Sequence, residues 1–393
     1  MGTFRDVTKT EPCPVCGKPD WCSIFTPDEA VYPGQELCVC RRIHSPEIQS
    51  AINSKTYYFI KELSDGSAMY SDVAKNSQTS PSSYVYRGSS AVPPKEIDYG
   101  TPPRPNAELD IIYREFLGLL QLSKKHRRTL ANDGWPYELI KDCQIRSLSL
   151  KKSYCEDLGY YSDRNVRFEI CSTLINRQHN LEGVPGFYQE QDGKWTFVGK
   201  PGMLIPLYDE LNQIYRLRLR LDKPDIDENG KEKNKYKNFS SFARSTKEDH
   251  VLKNIYLKGC RAGSNIGFYC SDQNDLSMCY ITEGEKKAIV ANYFLNCIVI
   301  SLPGVNSYMK LEQTTSSGQS WLDFLKHIGC KNIIVAYDAD KNTNESVALY
   351  ERKLVELLKG HEFLTYIANW NFGFGKGLDD ILVLGLRPML VPA

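Results

Sequence analysis

The sequence predicts a multi-domain α/β protein, and two observations carry this prediction. From Met278 onward, short apolar runs alternate with helix-length stretches, which is typical of a parallel sheet with connecting helices. Five cysteines lie within the first 40 residues, where they indicate a small module held together by a metal ion. A chain of 393 residues is long enough for about two or three domains.

The composition is that of an ordinary water-soluble protein, with 41% hydrophobic and 25% charged residues. Because the formal net charge is only +1, any contact with nucleic acid would depend on local basic patches. No apolar run resembles a signal peptide or a membrane helix, so we expect a cytoplasmic location without membrane contact. The thirteen cysteines are expected to be reduced thiols plus one metal site rather than disulfides.

Changes in composition and periodicity divide the chain into regions. The first residues are rich in Cys, Pro and Gly with little periodicity, and a stretch dense in Ser, Pro and Gly follows. Apolar residues then recur at helical spacing, and strand-like runs separated by turns begin after Gly183. The predicted regions are a zinc-binding module (1–45), a flexible linker (46–105), a helical segment (106–180), a basic strand-rich region (181–275) and a parallel α/β sheet (276–393).

The segment IYRLRLRLDK alternates strictly between polar and apolar residues. As a strand it would place Arg216, Arg218 and Arg220 on one face and the leucines on the other. Such a row of guanidinium groups can bind phosphates, although a solvated face of a half-buried strand is the simpler alternative. After an exposed hairpin loop, Lys235 adds a cation and Tyr236 a ring that can stack on a base.

A second basic stretch, QLSKKHRRTL, lies in the predicted helical segment. It carries Lys124, Lys125, Arg127 and Arg128. A solvated helix face is the simpler interpretation of these charges, and contact with DNA or with a partner is the alternative.

Acidic residues follow two of the predicted parallel strands. Glu283 comes after the first strand, in YITEG, and Asp338 and Asp340 come after the third, in IIVAYDAD. Because the carboxyl ends of parallel strands meet at one edge of a sheet, we expect these side chains to lie close together, with Asp338 and Asp340 on the same side. Clustered carboxylates bind hard cations, so the pattern predicts a phosphoryl or nucleotidyl transfer site with about two Mg²⁺ or Mn²⁺ ions. The alternative is that these residues cap helices or face water.

A third acidic pair, Asp379 and Asp380, follows a Gly-rich turn in GFGKGLDDIL. Asp380 could complete the acidic edge as a further metal ligand. It could equally cap the final helix. Both interpretations stay open at the level of sequence.

The amino-terminal cysteines have the spacing of a zinc site. Cys13 and Cys16 are separated by two residues and are followed by Cys22, Cys38 and Cys40. Zinc takes four ligands in a tetrahedron and supplies folding energy to a module without a large core. The pattern therefore predicts one Zn²⁺, with the choice of four ligands among the five cysteines left open.

These motifs resemble a known family. The EG of YITEGEKKA and the DAD of VAYDAD are similar to the Toprim domain shared by bacterial-type primases, topoisomerases and some nucleases. Over most of the chain, LSKKHRRTLANDGW, GVPGFY, LIPLYD, KYKNFSS, LPGV and KGLDDIL resemble Toprim-containing primase-like proteins of phages, plasmids and integrative elements. The resemblance implies a DNA primase, a nucleotidyltransferase that synthesises short RNA primers on single-stranded DNA.

The resemblance also implies residue roles. Glu283 would be the general acid or base and, with Asp338, Asp340 and Asp380, a ligand of Mg²⁺. Nucleotide or nucleic-acid contacts would come from Arg218, Arg220, Lys235, Asn238 and Lys287. The zinc ligands would be Cys13, Cys16, Cys22 and Cys40, with Cys38 spare; the alternative replaces Cys22, packed beside Trp21, by Cys38. Arg41 and Arg42 would suit contact with template, and His44 is a weaker ligand candidate.

Three classes of function are compatible with the sequence. The first is a primase, the second a Toprim nuclease that uses the same metals, and the third a non-catalytic replication protein that binds single strands. A topoisomerase is disfavoured, because it needs a nucleophilic tyrosine and a large DNA gate. No G-x-x-x-x-G-K-[ST] motif occurs, so we expect a separate helicase partner besides single-stranded DNA and nucleoside triphosphates.

Overall fold

A computed structural model describes residues 3–19, 22–26, 36–43, 47–62, 67–72, 100–156, 158–226, 228, 230, 232–243, 254–339 and 344–393. The described elements form a mixed α/β protein with several sheets, as the sequence predicted. The chain divides into two compact units. One unit comprises residues 1–91, 306–309 and 340–353, and the other comprises residues 92–305, 310–339 and 354–393.

The first unit contains a six-stranded sheet in which every neighbouring pair is antiparallel. Its strands are β1 (Thr3–Asp6), β2 (Ser23–Thr26), β3 (Leu37–Cys40), β4 (Glu47–Gln49), β5 (Thr56–Glu62) and β6 (Ala68–Ser71). They lie in the order β1-β2-β3-β6-β5-β4. The apolar core of this unit is small and is shared with cysteine side chains.

The structure differs from the sequence prediction between residues 47 and 71. The sequence predicts a flexible linker from residue 46, but β4, β5 and β6 belong to the same sheet as β3. The physical reason is that β3 pairs with β6 along its whole length, and the buried Tyr70 of β6 completes the small core. The Ser-rich and Pro-rich composition begins only near Ser64. Residues 73–99 of the predicted linker lie outside the described residues.

The second unit begins with four helices, which lie within the predicted helical segment. They are α1 (Asn106–Leu119), α2 (Lys124–Asn132), α3 (Tyr137–Asp142) and α4 (Arg164–Asn176). Three short strands, which helical spacing did not predict, are β7 (Arg146–Ser147), β8 (Ser153–Cys155) and β9 (Tyr160–Ser162). The start of α2 is fixed by Ser123, whose hydroxyl accepts a hydrogen bond from the His126 amide at 3.2 Å.

The strand-rich region follows. It contains β10 (Phe187–Gln189), β11 (Trp195–Phe197), β12 (Gly202–Tyr208), β13 (Ile214–Leu221), β14 (Asp225–Ile226), β15 (Glu232–Lys233) and β16 (Tyr236–Asn238). An antiparallel sheet, called the basic sheet below, has the order β16-β13-β12-β7. The predicted alternation of β13 is confirmed, because its leucines are buried and its arginines are partly exposed.

The carboxyl-terminal region forms a second six-stranded sheet. Its strands and helices are β17 (Gly267–Tyr269), β18 (Asp275–Glu283), α5 (Glu285–Leu295), β19 (Cys297–Leu302), α6 (Trp321–His327), β20 (Asn332–Val335), α7 (Glu345–Gly360), β21 (Leu364–Asn369), α8 (Leu378–Val383) and β22 (Met389–Pro392). The strand order is β17-β19-β18-β20-β21-β22. The four central strands are parallel, which confirms the prediction, and the antiparallel edge strands β17 and β22 were not predicted.

The basic sheet has a different hydrophobic core on each of its faces. One core packs the leucines of β13 with α1 and α4, around Phe116. The other core packs Met203 and Ile205 of β12 with α2, α3, α5, α8 and the parallel sheet. Facing residues of an antiparallel pair share a face, and Met203 faces Arg220 while Ile205 faces Arg218. The two arginines therefore lie on the face of the basic sheet that packs toward the parallel sheet.

The cysteines are all free thiols. Cys279 and Cys297 are buried in the core of the parallel sheet, as expected from their apolar surroundings in the sequence. None of the helices in the described ranges is both long and apolar enough to cross a membrane.

Candidate functional site

Four cysteines of the first unit form a compact cluster of sulfur atoms. The Sγ atoms of Cys13, Cys16, Cys22 and Cys40 all lie within 4.8 Å of one another. A tetrahedron with zinc–sulfur bonds of about 2.3 Å has sulfur–sulfur edges of about 3.8 Å. The observed separations of 3.7 Å between Cys16 and Cys22 and 3.9 Å between Cys22 and Cys40 match that edge. The group could therefore bind zinc, and it is the ligand set implied by the family resemblance.

Cys38 lies beside this cluster without joining it. Its Sγ atom is 3.5 Å from Cys13 Sγ, but the group of four leaves it out. The geometry thus favours Cys22 over Cys38 as a ligand. Trp21 and His44, which were considered with this site, lie outside the described residues.

Hydrogen bonds among the thiols and the charge of Arg42 both act on the cluster. The hydrogen bond with Cys13 lowers the pKa of Cys16 well below its usual range, and that with Cys16 raises the pKa of Cys13 to about 12. The guanidinium of Arg42 lies against the cluster, with Nη1 3.9 Å from Cys16 Sγ and 3.7 Å from Cys22 Sγ. Arg42 therefore stabilises negative charge on the sulfurs, and its expected contact with template stays a prediction.

In the second unit, the acidic residues lie at the carboxyl ends of neighbouring parallel strands. Glu283 is the last residue of β18, and Asp338 follows the adjacent strand β20. Gly284 has a φ of 88°, a conformation that favours glycine and allows α5 to begin directly after Glu283. Since β20 ends at Val335, Asp338 lies in the loop beyond the strand. Asp340 lies outside the described residues, so its predicted position beside Asp338 stays a prediction.

Lys287, on the first turn of α5, is the centre of this edge. Its Nζ atom donates to Oδ1 of Asp338, and Nζ of Lys376 lies 3.6 Å from Oδ2 of the same carboxylate. Burial opposes the charge of Lys287, but the negative charges of Asp338, Glu283 and Asp379 outweigh it and raise the pKa of Lys287. The edge therefore stabilises a positive charge. In the described ranges its carboxylates do not converge as the four cysteines do.

The two residues of the third acidic pair, Asp379 and Asp380, make different contacts. Oδ2 of Asp380 accepts a hydrogen bond from the Gly377 amide at 2.8 Å and so caps α8. A Cβ atom at Gly377 would lie 2.3 Å from Asp379 Oδ1 and 3.0 Å from Lys287 Cε, so glycine lets these two side chains approach. Burial raises the pKa of Asp379, and Lys287 partly offsets this. Asp379 thus lies beside Lys287, and the predicted role of Asp380 as a metal ligand stays a prediction.

Arg218 connects the basic sheet to α5. Its Nη1 atom donates to Asn238 Oδ1 at 2.8 Å, and its Nε atom lies 3.7 Å from Oε1 of Glu285. Glu285 is only 2% exposed, and its burial raises its pKa against the opposing charge of Arg218. The buried Nε atoms of Arg218 and Arg220 have no hydrogen-bond partner in the described part of the chain. Arg218 thus pairs with Glu285, and Arg220 adds a second guanidinium group to the same face of the basic sheet.

Tyr236 marks where the basic sheet approaches the acidic edge. It pairs with Arg220 across the sheet, and burial raises its pKa to about 12 although Arg220 opposes this. The charges of Glu285 and Asp379 also act on Tyr236. Strand β13 and the acidic edge thus lie within electrostatic range of each other.

Lys235 forms an ion pair within its own hairpin. Its Nζ atom is 3.0 Å from Oε2 of Glu232 in the same exposed hairpin. The predicted contact of Lys235 with nucleotide or template therefore stays a prediction.

Sequence reasoning missed Glu285 as a residue of this region. A signal was present, because Glu285 lies three and four residues before the apolar Ala288 and Ile289. That spacing puts Glu285 on the buried side of the helix. A carboxylate on a buried helix face needs a cation, and the predicted row of arginines offered one.

Comparison with known proteins gives one family match. The profile of a domain of unknown function, DUF3854, matches residues 269–385, which include most of the parallel sheet and its acidic edge. The match covers under a third of the chain. No curated protein matches the chain.

Several solved structures are similar at low identity. The Aquifex aeolicus primase, with its zinc-binding and RNA polymerase domains, has a TM-score of 0.46 and 11% identity. That alignment covers 73% of this chain and 62% of the Aquifex chain. A DnaG primase catalytic domain bound to single-stranded DNA has a TM-score of 0.42 and 14% identity, and the alignment covers 72% of this chain and 78% of that domain. The RNA polymerase domain of Mycobacterium tuberculosis DnaG has a TM-score of 0.44 and 14% identity, and the alignment covers 71% of this chain and 78% of that domain.

Proposed function

We propose that this chain is a DNA primase that synthesises short RNA primers on single-stranded DNA by metal-dependent nucleotidyl transfer, for replication of a phage or another mobile element. One observation carries the proposal. The sheet edge that stabilises positive charge, with Glu283, Asp338 and Asp379 around Lys287, lies within electrostatic range of the basic sheet, which carries the arginines of β13. Nucleotidyl transfer needs both features, because carboxylates hold the divalent cations and cationic side chains bind the phosphates.

Each part of this edge has a proposed role. The proposed ligands of Mg²⁺ or Mn²⁺ are Glu283, Asp338 and Asp340, together with Asp379 or Asp380. The bound ions would neutralise phosphate oxygens during the transfer. Carboxylate oxygens are the donors that these ions prefer, and the edge already holds the ammonium of Lys287.

The cationic side chains would bind the substrates. Lys287 would bind a triphosphate oxygen after leaving Asp338, and Arg218 and Arg220 would bind phosphates of the nucleotide or template. The neighbouring Tyr236 and Asn238 line the same face of the basic sheet as these arginines. In the first unit, the cysteine cluster would hold one zinc ion and orient a template-binding module.

The proposed partners follow from this chemistry. They are single-stranded DNA, nucleoside triphosphates and a separate helicase, since the sequence contains no P-loop motif. The proposed location is the cytoplasm.

The test compares three purified proteins on single-stranded DNA with labelled nucleoside triphosphates and Mg²⁺ or Mn²⁺. They are the natural chain, Asp338→Asn and, as a matched control, Asp272→Asn, which changes an exposed aspartate in a loop. We expect short template-dependent products from the natural chain and the control, and at least about a hundredfold less from Asp338→Asn. Products from Asp338→Asn at the natural rate would contradict the proposal. Shortening of the DNA without any product would instead identify a nuclease.

A further inference from the structure

A small surface pocket lies beside α2 and α3, away from the acidic edge. Its volume is about 320 Å³. Its wall carries Arg127, Lys141, Arg146 and Tyr137, and Leu122 and Ile140 contribute apolar surface. We call it the basic pocket. The residues that line it include no Asp or Glu.

The cationic side chains of the basic pocket are poorly neutralised. Arg146 donates from Nη1 to the carbonyl of the preceding residue, Ile145, at 2.9 Å, and within the described ranges neither it nor Arg127 has an ion pair. Lys141 has only a loose contact, with Nζ 3.9 Å from Oε2 of Glu138, and both side chains are largely exposed. Three positive groups around one concave surface without an acidic wall fit an anion.

Tyr137 adds a flat apolar surface to these charges. It is the first residue of α3 and is 70% exposed. An exposed aromatic ring beside guanidinium groups is the usual device for binding a single strand, because the ring stacks on a base while the cations hold the phosphates. The exposure of the ring fits a strand that passes over the surface better than an enclosed free nucleotide.

The basic pocket is distinct from the face that carries Arg218 and Arg220. In the basic sheet, Ser147 faces Met203, and Met203 faces Arg220, so these three side chains share a face. Arg146 is the next residue along β7 and therefore points to the opposite face.

The helix that forms part of the basic pocket nevertheless ends near the acidic edge. Asp133 follows the last residue of α2, and Nζ of Lys286, on the first turn of α5, lies 2.6 Å from its Oδ2 atom. The nine residues of α2 span about 14 Å at 1.5 Å per residue. A strand held in the basic pocket is thus a few nucleotides from Lys287.

We propose that the basic pocket binds single-stranded nucleic acid, with phosphates on Arg127, Lys141 and Arg146 and a base stacked on Tyr137. The inference rests on the proposed function, for which it supplies part of the path of the template. It also extends the sequence analysis, where contact of this helix with DNA was the alternative to a solvated face.

The first test uses the full chain and a dye-labelled oligothymidylate in fluorescence anisotropy over a series of salt concentrations. The test variant is Arg127→Gln with Arg146→Gln. The matched control is Lys124→Gln with Arg128→Gln, which removes two exposed charges from α2 that do not line the pocket. We expect the test variant to bind about tenfold more weakly or worse, and its plot of log affinity against log salt to lose about 0.7 in slope for each phosphate contact removed. Equal losses in test and control variants would overturn the inference.

The second test addresses stacking on Tyr137. Tyr137→Ala should weaken binding by about five- to a hundredfold, whereas Tyr137→Phe keeps the ring and should bind as the natural chain does. Because the side chain is largely exposed, neither substitution should change thermal unfolding, which is measured in parallel. Photo-crosslinking with a 5-iodouracil oligonucleotide should label Tyr137. Labelling elsewhere, together with unchanged binding by Tyr137→Ala, would contradict the proposal.

The outcomes separate this inference from the proposed function. Asp338→Asn should retain binding through the basic pocket even where primer synthesis is lost. If the natural chain makes no primers but the pocket variants still lose binding, the inference stands and the primase proposal fails. If primers are made and the pocket variants bind normally, the inference fails alone. If the pocket variants lose binding to free nucleoside triphosphates but retain binding to single strands, the pocket is a nucleotide site and the inference is overturned.

Discussion

The Nε atom of Arg218 lies 3.7 Å from Oε1 of Glu285, and this ion pair joins the basic sheet to the first turn of α5. The side chain of Glu285 is 2% exposed and that of Arg218 is 14% exposed, so solvent screens the pair weakly. Removing one partner would leave a buried charge without compensation. The pair therefore fixes the distance between the arginine face of β13 and the edge that carries Glu283 and Lys287.

Substitution of one partner should destabilise the chain more than substitution of both. We expect Arg218→Met to lower the free energy of unfolding by about 3 kcal/mol, because the carboxylate of Glu285 stays buried. The double variant Arg218→Met, Glu285→Leu should recover most of that loss. Chemical denaturation of the single and double variants measures both values, and strictly additive effects would contradict the coupling.

The same pair predicts how stability depends on pH. Burial raises the pKa of Glu285 above its ordinary value of 4.5, so its ionisation costs stability as the pH rises through the folded-state value. Glu285→Gln removes this cost, and its stability relative to the natural chain should therefore increase as the pH rises above about 4.5. Denaturation at a series of pH values measures the difference, and a constant difference would contradict the prediction.

Lys287 should compete with divalent cations for Asp338. In Lys287→Met the carboxylates lose the ammonium that neutralises them, so we expect Mn²⁺ to bind about tenfold more tightly while primer synthesis falls. Isothermal titration with Mn²⁺ measures the affinity. Lys376→Met is the matched control, because Lys376 is 55% exposed and 3.6 Å from Asp338, and it should have a smaller effect. Weaker Mn²⁺ binding by Lys287→Met would contradict the competition.

Local patterns predicted much of this fold. The alternation in IYRLRLRLDK depends on one strand having a polar and an apolar face, and β13 confirms it. The carboxyl-terminal strands are near-continuous apolar runs separated by helices, a pattern that only parallel sheets produce often, and it is confirmed in β18 to β21. The zinc site could also be predicted locally, because two cysteines separated by two residues, Cys13 and Cys16, can bind the same tetrahedral ion from one short turn.

Contacts between distant segments could not be predicted in this way. The ion pair between Lys287 and Asp338 and the approach of Asp379 to Lys287 depend on how the loop after β20 packs with the first turns of α5 and α8. Strands β4 and β6 were missed because they have only three and four residues, and β6 pairs with β3, which lies many residues earlier in the chain. The Ser-rich composition starts near Ser64, and the predicted linker was wrong in beginning at residue 46, before this change in composition.

The cysteine cluster predicts a metal content of one zinc ion per chain. Cys40→Ser should lose that ion, because its sulfur is one of the four in the cluster, whereas Cys38→Ser should retain it. Zinc released by denaturation and measured with a colorimetric indicator gives the content. Removal of zinc by a chelator should unfold the first unit, since its apolar core is small. Loss of zinc in Cys38→Ser with retention in Cys22→Ser would instead identify Cys38 as the ligand.

A buried hydrogen-bond chain links α2 to the basic sheet. Nδ1 of His126 lies 2.6 Å from Ser147 Oγ, and Nε2 lies 2.6 Å from Asp222 Oδ1. Because the carboxylate of Asp222 only accepts, Nε2 of His126 donates to it, and in the neutral imidazole Nδ1 then accepts from the Ser147 hydroxyl. Ser147 Oγ in turn accepts from the Ser123 amide at 2.9 Å. His126 is 2% exposed, so this chain satisfies polar groups that water cannot reach.

Asp222→Asn should therefore destabilise the chain more than Lys125→Met does. Asp222→Asn removes the negative charge that accepts the hydrogen bond of His126, and we expect it to lower the free energy of unfolding by about 1–3 kcal/mol. Lys125 is 66% exposed, so its ion pair with Asp222 should contribute under about 1 kcal/mol. Burial opposes ionisation of Asp222, but its hydrogen bonds with Lys125 and His126 outweigh this and lower its pKa below 3.8. Its contribution is present above that value and is lost as the pH falls through the folded-state pKa. Acid denaturation of the natural chain and both variants measures this, and an Asp222→Asn curve parallel to the natural one would contradict it.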